Sequence, residues 1–164
     1  IKRKRCGMNK RPKLNDDAVI ALVAEELAIK IADWMSNYDD IEEIENDLKR
    51  ALKYHSDGYE LARELDDYNP DAELVDILDN ALDMKLSAHD QVCRRWVSDN
   101  GLVGPNIGAS VSFTFDGKRI EGEVVNNYDY GQSSVFCESL GHVREGFGTH
   151  SVVVNWEDLT EVAK

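Results

Sequence analysis

The sequence predicts an α+β chain: an antiparallel bundle of long helices over residues 14–101, then an antiparallel, short-stranded β part over residues 102–164. Three observations carry this reading. Apolar residues recur at steps of three and four from Ile20 to Val97, the period of a helix face. Residues 14–100 hold a single glycine, Gly58, and a single proline, Pro70. From Gly101 onward there are nine glycines and repeated aliphatic–aromatic runs, so the composition shifts there, with a hinge expected over Gly101 to Gly108.

The first helix is expected to open at Asn15 or Asp16, either of which can cap, with acids in the first turn suited to the helix dipole. Ile20, Val23, Ala24, Leu27, Ile31, Trp34, Met35 and Tyr38 form its stripe. Leu22 and Ile29 fall on another face, which predicts a helix buried on more than one side, either central in the bundle or covered by a partner. The second helix opens at Asp39-Asp40. Its stripe of Ile41, Ile44, Leu48, Ala51, Leu52, His55, Tyr59, Ala62 and Leu65 runs on across Ser56-Asp57-Gly58. One long helix is therefore expected, with a weak point at Gly58 costing about 1 kcal/mol relative to Ala. Asn69-Pro70-Asp71 reads as a restart, because Asn caps and Pro is tolerated in the first turn. A third helix should then run through Leu74, Ile77, Leu78, Ala81, Leu82, Lys85, His89, Val92, Cys93, Trp96 and Val97 and stop at Asn100-Gly101. The second and third helices, at about 1.5 Å per residue, would each be roughly 42 Å long and antiparallel neighbours.

In the β part, Ala109 to Phe115 alternates, with Val111, Phe113 and Phe115 on one face. Asp116-Gly117-Lys118 is a hairpin signal, and Ile120 to Asn126 is the return strand. Ser133 to Glu138 and Ser151 to Asn155 follow as strands, separated by the glycine-containing loop Leu140 to Thr149. Trp156 to Leu159 makes a tight turn into Thr160 to Ala163. This order, with "DGK" at the first turn, "NWEDL" as a one-turn segment and "TEV" in the last short strand, resembles the SH3-like small β-barrel shared by Tudor-type and KOW-type modules. The resemblance covers residues 105–164 and lies in strand order. It implies a module that binds peptides, proteins or nucleic acid, without choosing among them.

Charge divides the chain. Residues 1–13 carry seven basic side chains from Lys2 to Lys13 and no acid, while the rest carries twelve basic and 32 acidic groups, or about −20. Four of the leader's charges precede Met8, so residues 1–7 read as a processed end, an alternative start or a cloning remnant. No run approaches the roughly 18 apolar residues of a membrane span. The most apolar run, Ala18 to Ala24, is bracketed by acids, which argues against a signal peptide. Three widely spaced cysteines, Cys6, Cys93 and Cys137, fit reduced thiols in a cytoplasmic protein.

The acids are the main functional signal. Asp76, Asp79, Asp83 and Asp90 recur at helical neighbour spacing, as do Glu43 with Asp47 and Glu60 with Glu64. Carboxylates four residues apart stand about 6 Å apart along a helix, close to the spacing of phosphates on a nucleic-acid strand. A rigid acidic helical pair would thus occupy a basic DNA-binding groove; the competing reading is a solvated face interrupted by Lys49, Arg50, Lys53 and Arg63. Paired acids such as Glu42-Glu43 point apart on a helix and match no calcium loop, so no metal or other cofactor is expected. His55 and His89 fall on the buried stripes of facing helices, where they would meet as a pH-sensitive pair or sit as satisfied core residues. Cys137, His142 and His150 lack zinc-ligand spacing. No nucleophile motif or phosphate loop occurs, and no enzyme is expected. In the β part, Tyr128, Tyr130, Arg144 and Phe147 are the candidate loop contacts, whereas Phe136 and Trp156 are expected in the core.

The expectation is a non-enzymatic acidic protein, an inhibitor or adaptor docking on a basic surface of a nucleic-acid-handling protein. A phage or mobile-element accessory protein would fit that design. Two alternatives stand beside it. One is direct nucleic-acid binding through Lys2–Lys13 and the barrel loops; the other is a homo-oligomer assembled through the first helix.

Overall fold

The computed structural model of the chain describes residues 10–37, 39–65, 72–140 and 151–162. These fall into two compact units, one reaching to Val92 and the other starting at Cys93. The described residues form five α-helices and then a five-stranded antiparallel sheet.

In the helical unit, α1 spans Asp17–Met35. Asp16 sits at its N-cap position with extended backbone, and its carboxylate accepts from the Lys13 backbone N–H at 2.8 Å. The helix ends at Ser36, a left-handed residue whose N–H bonds back to Asp33, while Asn37 N–H reaches Ala32. That pair of bonds is the Schellman arrangement, which satisfies the last carbonyls. One side of α1 is fully buried from Val19 to Ala32. Leu22 and Ile29 remain 36% and 45% exposed, so the expected second buried face is not covered by the described residues. Tyr38 lies outside the described residues.

The two long helices are not formed. The second predicted helix is two, α2 over Ile41–Ala51 and α3 over Gly58–Glu64. Asp57 caps α3, its Oδ1 accepting from the N–H groups of Tyr59 and Glu60 at 3.1 Å each. That cap competes with the apolar periodicity and wins, because it satisfies orphan donors where a continuous helix would place Gly58 in its interior. Packing reinforces the break. A Cβ on Gly58 would come within 2.8 Å of the Asp79 backbone nitrogen and of the Val75 carbonyl oxygen, so this backbone contact requires glycine. The third predicted helix is likewise two, α4 over Ala72–Leu78 and α5 over Ala81–Asp99. Asn80 accepts the first bond of α5 from Met84 N–H at 3.0 Å. The predicted restart at Asn69-Pro70-Asp71 lies outside the described residues. The α5 stop is as expected: Gly101 is left-handed at φ 58°, and Leu102 N–H bonds to Val97.

The core of the helical unit joins Ile20, Leu27 and Ile31 of α1 to Ile44, Leu48, Leu61, Leu74 and Leu78. Its apolar side chains each contribute about 1.5–3 kcal/mol by leaving water. Two polar contacts at its border fix the packing. Trp34 Nε1 donates to Glu73 Oε2 at 2.9 Å, and Lys53 Nζ meets Asp17 Oδ1 at 2.9 Å.

The second unit carries β1 (Ser110–Phe115), β2 (Lys118–Tyr128), β3 (Gln132–Phe136), β4 (Ser151–Asn155) and β5 (Thr160–Glu161). All ladders are antiparallel, in the order β4-β3-β2-β1-β5. Phe115 faces Lys118 across a two-residue turn in which Asp116 and Gly117 have φ of 48° and 73°. Two successive positive φ values are what an Asp-Gly hairpin turn supplies. Strand β2 runs beyond its predicted ends and carries a bulge between Val124 and Asn126, which bends it. A single 3₁₀ turn, Trp156–Asp158, separates β4 from β5, where the tight turn is expected. No ladder joins β4 to β5 among the described residues, so the sheet is open rather than a closed barrel. Val111, Phe113, Val124, Val135 and Cys137 are its buried centre.

Candidate interaction surfaces

The acids of the helical unit lie where helix periodicity sends them, outward, but on short helices rather than two rods. Residues 14–101 hold 23 acids and eight basic groups. Glu43 is exposed on α2 beside Asp39, Asp40 and Glu42, and these line a shallow depression with Asn46, Asp47, Lys49 and Arg50. Basic neighbours tie down part of this face. Asp47 pairs with Arg50, and Lys49 Nζ lies 2.5 Å from Glu45 Oε1. On α3, Glu60 meets Arg63 at 3.4 Å and Glu64 faces His55 at 3.6 Å. Asp76 and Asp79 stand exposed at α4 and its C-terminal end, and Asp83 is exposed in the first turn of α5. Asp90 lies 3.9 Å from His89 Nδ1 and is half-buried. The breaks after α2 and α4 divide these acids among four helices, so the long phosphate-like ladder expected from two rods is absent.

The two histidines are engaged separately. His55 faces Glu64, whereas His89 Nε2 lies 3.1 Å from the Pro12 carbonyl oxygen. Of the basic leader, only residues 10–13 are described. There Lys10 and Lys13 are exposed, and Arg11 and Pro12 are half-buried. Lys2, Arg3, Lys4 and Arg5 lie outside the described residues.

Lys85, which periodicity places on the core stripe together with His89, is 2% exposed. Its ammonium donates to the Leu52 carbonyl and to Ser56 Oγ, both at 2.9 Å. Leu52 is the C-cap of α2, so the cation meets the negative end of that helix. Burial holds the Lys85 pKa below the ordinary lysine value. Backbone and hydroxyl oxygens do the solvating, and no acid pairs with it among the described residues. The signal available in the sequence was a lysine on an apolar stripe opposite a helix end.

In the sheet unit, Tyr128 and Tyr130 stack with ring centroids 5.4 Å apart and planes 9° apart. Asp129 between them accepts from Arg94 Nε on α5 at 2.8 Å. That contact ties the β2–β3 turn to the C-terminal turns of α5 and fixes the tyrosine pair at the turn. Arg144 and Phe147, the other two loop contacts, lie outside the described residues, as do His142 and His150. Phe136 is 36% exposed, not in the core. It borders an open depression with Ile120, Gly122, Glu123 and Glu138. At the end of β3 it follows the buried Val135 and so faces the other side of the sheet. Trp156 is half-buried, and its Nε1 is enclosed without a hydrogen-bond partner among the described residues. Burial raises the Cys137 pKa and keeps that thiol protonated. Ser133 Oγ donates to Asn127 Oδ1 at 2.6 Å as a structural link between strands.

Among the described residues, no three His, Cys, Asp or Glu side chains converge on a metal position. No described helix is long and apolar enough to cross a membrane. No protein family, curated protein or solved structure matches this chain.

Proposed function

We propose that this chain is a non-enzymatic binding protein that docks its acidic helical unit on a basic surface of another protein. The reading places that partner among proteins that handle nucleic acid, with the chain as inhibitor or adaptor. The observation that carries it is the outward acid excess of the helices, where Glu43, Asp76, Asp79 and Asp83 face solvent and form no ion pair among the described residues. Such a field attracts cationic surfaces and speeds encounter with them. The proposal rests on charge and not on phosphate spacing, since no continuous ladder is present. The sheet unit, an open antiparallel sheet of five strands, serves in this reading as a second contact module with the Tyr128–Tyr130 pair at the β2–β3 turn. Action in the cytoplasm belongs to the same reading, where thiols such as Cys93 and Cys137 stay reduced. The design suits an accessory protein of a phage or mobile element that blocks a host enzyme.

The test is affinity capture with the full chain as bait, from extract with and without nuclease treatment, washed at low and moderate salt. Recovery of one basic protein irrespective of nuclease, weakening as salt rises, is the expected outcome. Recovery of nucleic acid, with proteins lost on nuclease treatment, would overturn it and move the function to the leader and sheet loops.

A further inference from the structure

We propose that the groove between α1 and α5 is the seat of a cationic amphipathic helix contributed by the partner. This inference rests on the acidic-docking reading above and specifies which face docks and what it recognises. Val23 and Ala88 are buried at the base of the groove, Leu22 and Met84 form its apolar walls, and Glu26 and Asp83 stand on its two rims. Its volume is about 430 Å³. Ile29, seven residues beyond Leu22 on the outward face of α1, continues the exposed apolar line for two more turns. The lining is mixed, with Ser87 and Gln91 beside the apolar residues, and such a trough between two helices is a shape that takes an amphipathic third helix. Met84 adds an adaptable, polarisable wall.

Charge decides which occupant fits. Lys30, the cation near the groove, is already held by Glu26 at 2.9 Å, and its Nζ lies 3.9 Å from Met84 Sδ. Asp83 has no ion-pair partner among the described residues, and Glu25 and Asp90 add negative charge along the same two helices. A second copy of this chain would bring its own Glu25, Glu26 and Asp83 against these acids. A helix with leucine-like anchors and flanking Lys or Arg fills the trough and brings a cation to Asp83, the rim acid without an ion pair among the described residues. The exposed apolar pair that sequence periodicity assigns to a second buried face is thereby explained as the anchor site of a partner.

The experiment titrates the full chain into a labelled synthetic leucine–lysine amphipathic helix, with a polylysine of equal charge as control, at low salt. Four proteins are compared: the parent, Leu22→Gln, Asp83→Asn, and the double variant Glu121→Gln/Glu123→Gln in the sheet unit. All substituted side chains are exposed, and circular dichroism checks the folds. The expected result is preference for the amphipathic helix, weakened about tenfold by Leu22→Gln and several-fold by Asp83→Asn, with the sheet variant near the parent. Equal binding of polylysine, or affinity for the amphipathic helix unchanged by Leu22→Gln, overturns the groove while leaving acidic docking intact. Failure of both probes to bind overturns both readings. Sedimentation showing a dimer that Leu22→Gln dissociates would assign the groove to a second copy and also overturn the proposal.

Discussion

Lys85 shows how a single residue can shape local architecture. An ammonium removed from water is costly, and here two oxygens at the end of α2 compensate in part. The site works as a C-cap supplied from another helix, holding α2 to its length. Because the folded-state pKa is lowered, the unfolded chain binds more protons in the window between the folded value and 10.5. Stability therefore rises with pH through that window, and the burial cost is fully present below it. Urea unfolding of parent and Lys85→Met at a series of pH values from neutral to about 10 should show a positive slope in the parent that is reduced in the variant. At neutral pH the variant trades relief of the buried charge against an unsatisfied Leu52 carbonyl, worth about 1–3 kcal/mol. A pH profile identical in the two proteins would remove Lys85 as the source.

At the scale of elements, the break between α2 and α3 has a local signal that runs against the apolar periodicity. Asp57, with Glu60 three residues on, is a capping signal, but the apolar steps from Leu52 to Ala62 continue through it. Periodicity describes which face is buried and is blind to whether the backbone turns between two buried stretches. Two substitutions separate the contributions. Asp57→Ala should cost about 1 kcal/mol through the lost cap. Gly58→Ala should cost more, about 1–3 kcal/mol, because backbone atoms of Val75 and Asp79 must move. In an isolated helix interior the same change would instead be favourable by about 1 kcal/mol, so the sign of the effect in chemical denaturation distinguishes the broken helix from the continuous one. The sheet was more legible. The Asp-Gly turn, the alternation of β1 and the one-turn Trp156 segment each have local signatures, and each stands where expected. The extra length and bulge of β2 have none, since they depend on pairing with β3.

For the whole molecule, charge is the property read most directly from sequence. A formal net charge of −13 makes self-repulsion a standing cost of the folded chain. Raising sodium chloride from about 10 mM to about 0.3 M shortens the screening length from roughly 30 Å to under 10 Å. Thermal unfolding should move up by about 2–4 °C, a gain near 1 kcal/mol, whereas binding of a cationic partner should weaken over the same range. Both follow from one field and carry opposite signs, so measuring the two together checks that electrostatics is the common cause.

The candidate surface was legible residue by residue but not as a surface. Outward acids such as Glu43 and Asp83 could be placed from helix period alone, and so could the apolar pair Leu22 and Ile29. By itself the sequence determined the class, helices before strands, together with most strand positions, the start of α1, the stop of α5, and the distribution of charge. These depend on near neighbours along the chain. Tertiary structure alone decided where helices break under an intact apolar stripe, that Lys85 is buried against the end of α2, that Phe136 leaves the core, and that Leu22 flanks an open groove with Asp83. Each of those depends on which distant backbone or side chain arrives alongside, information carried by packing and not by local spacing.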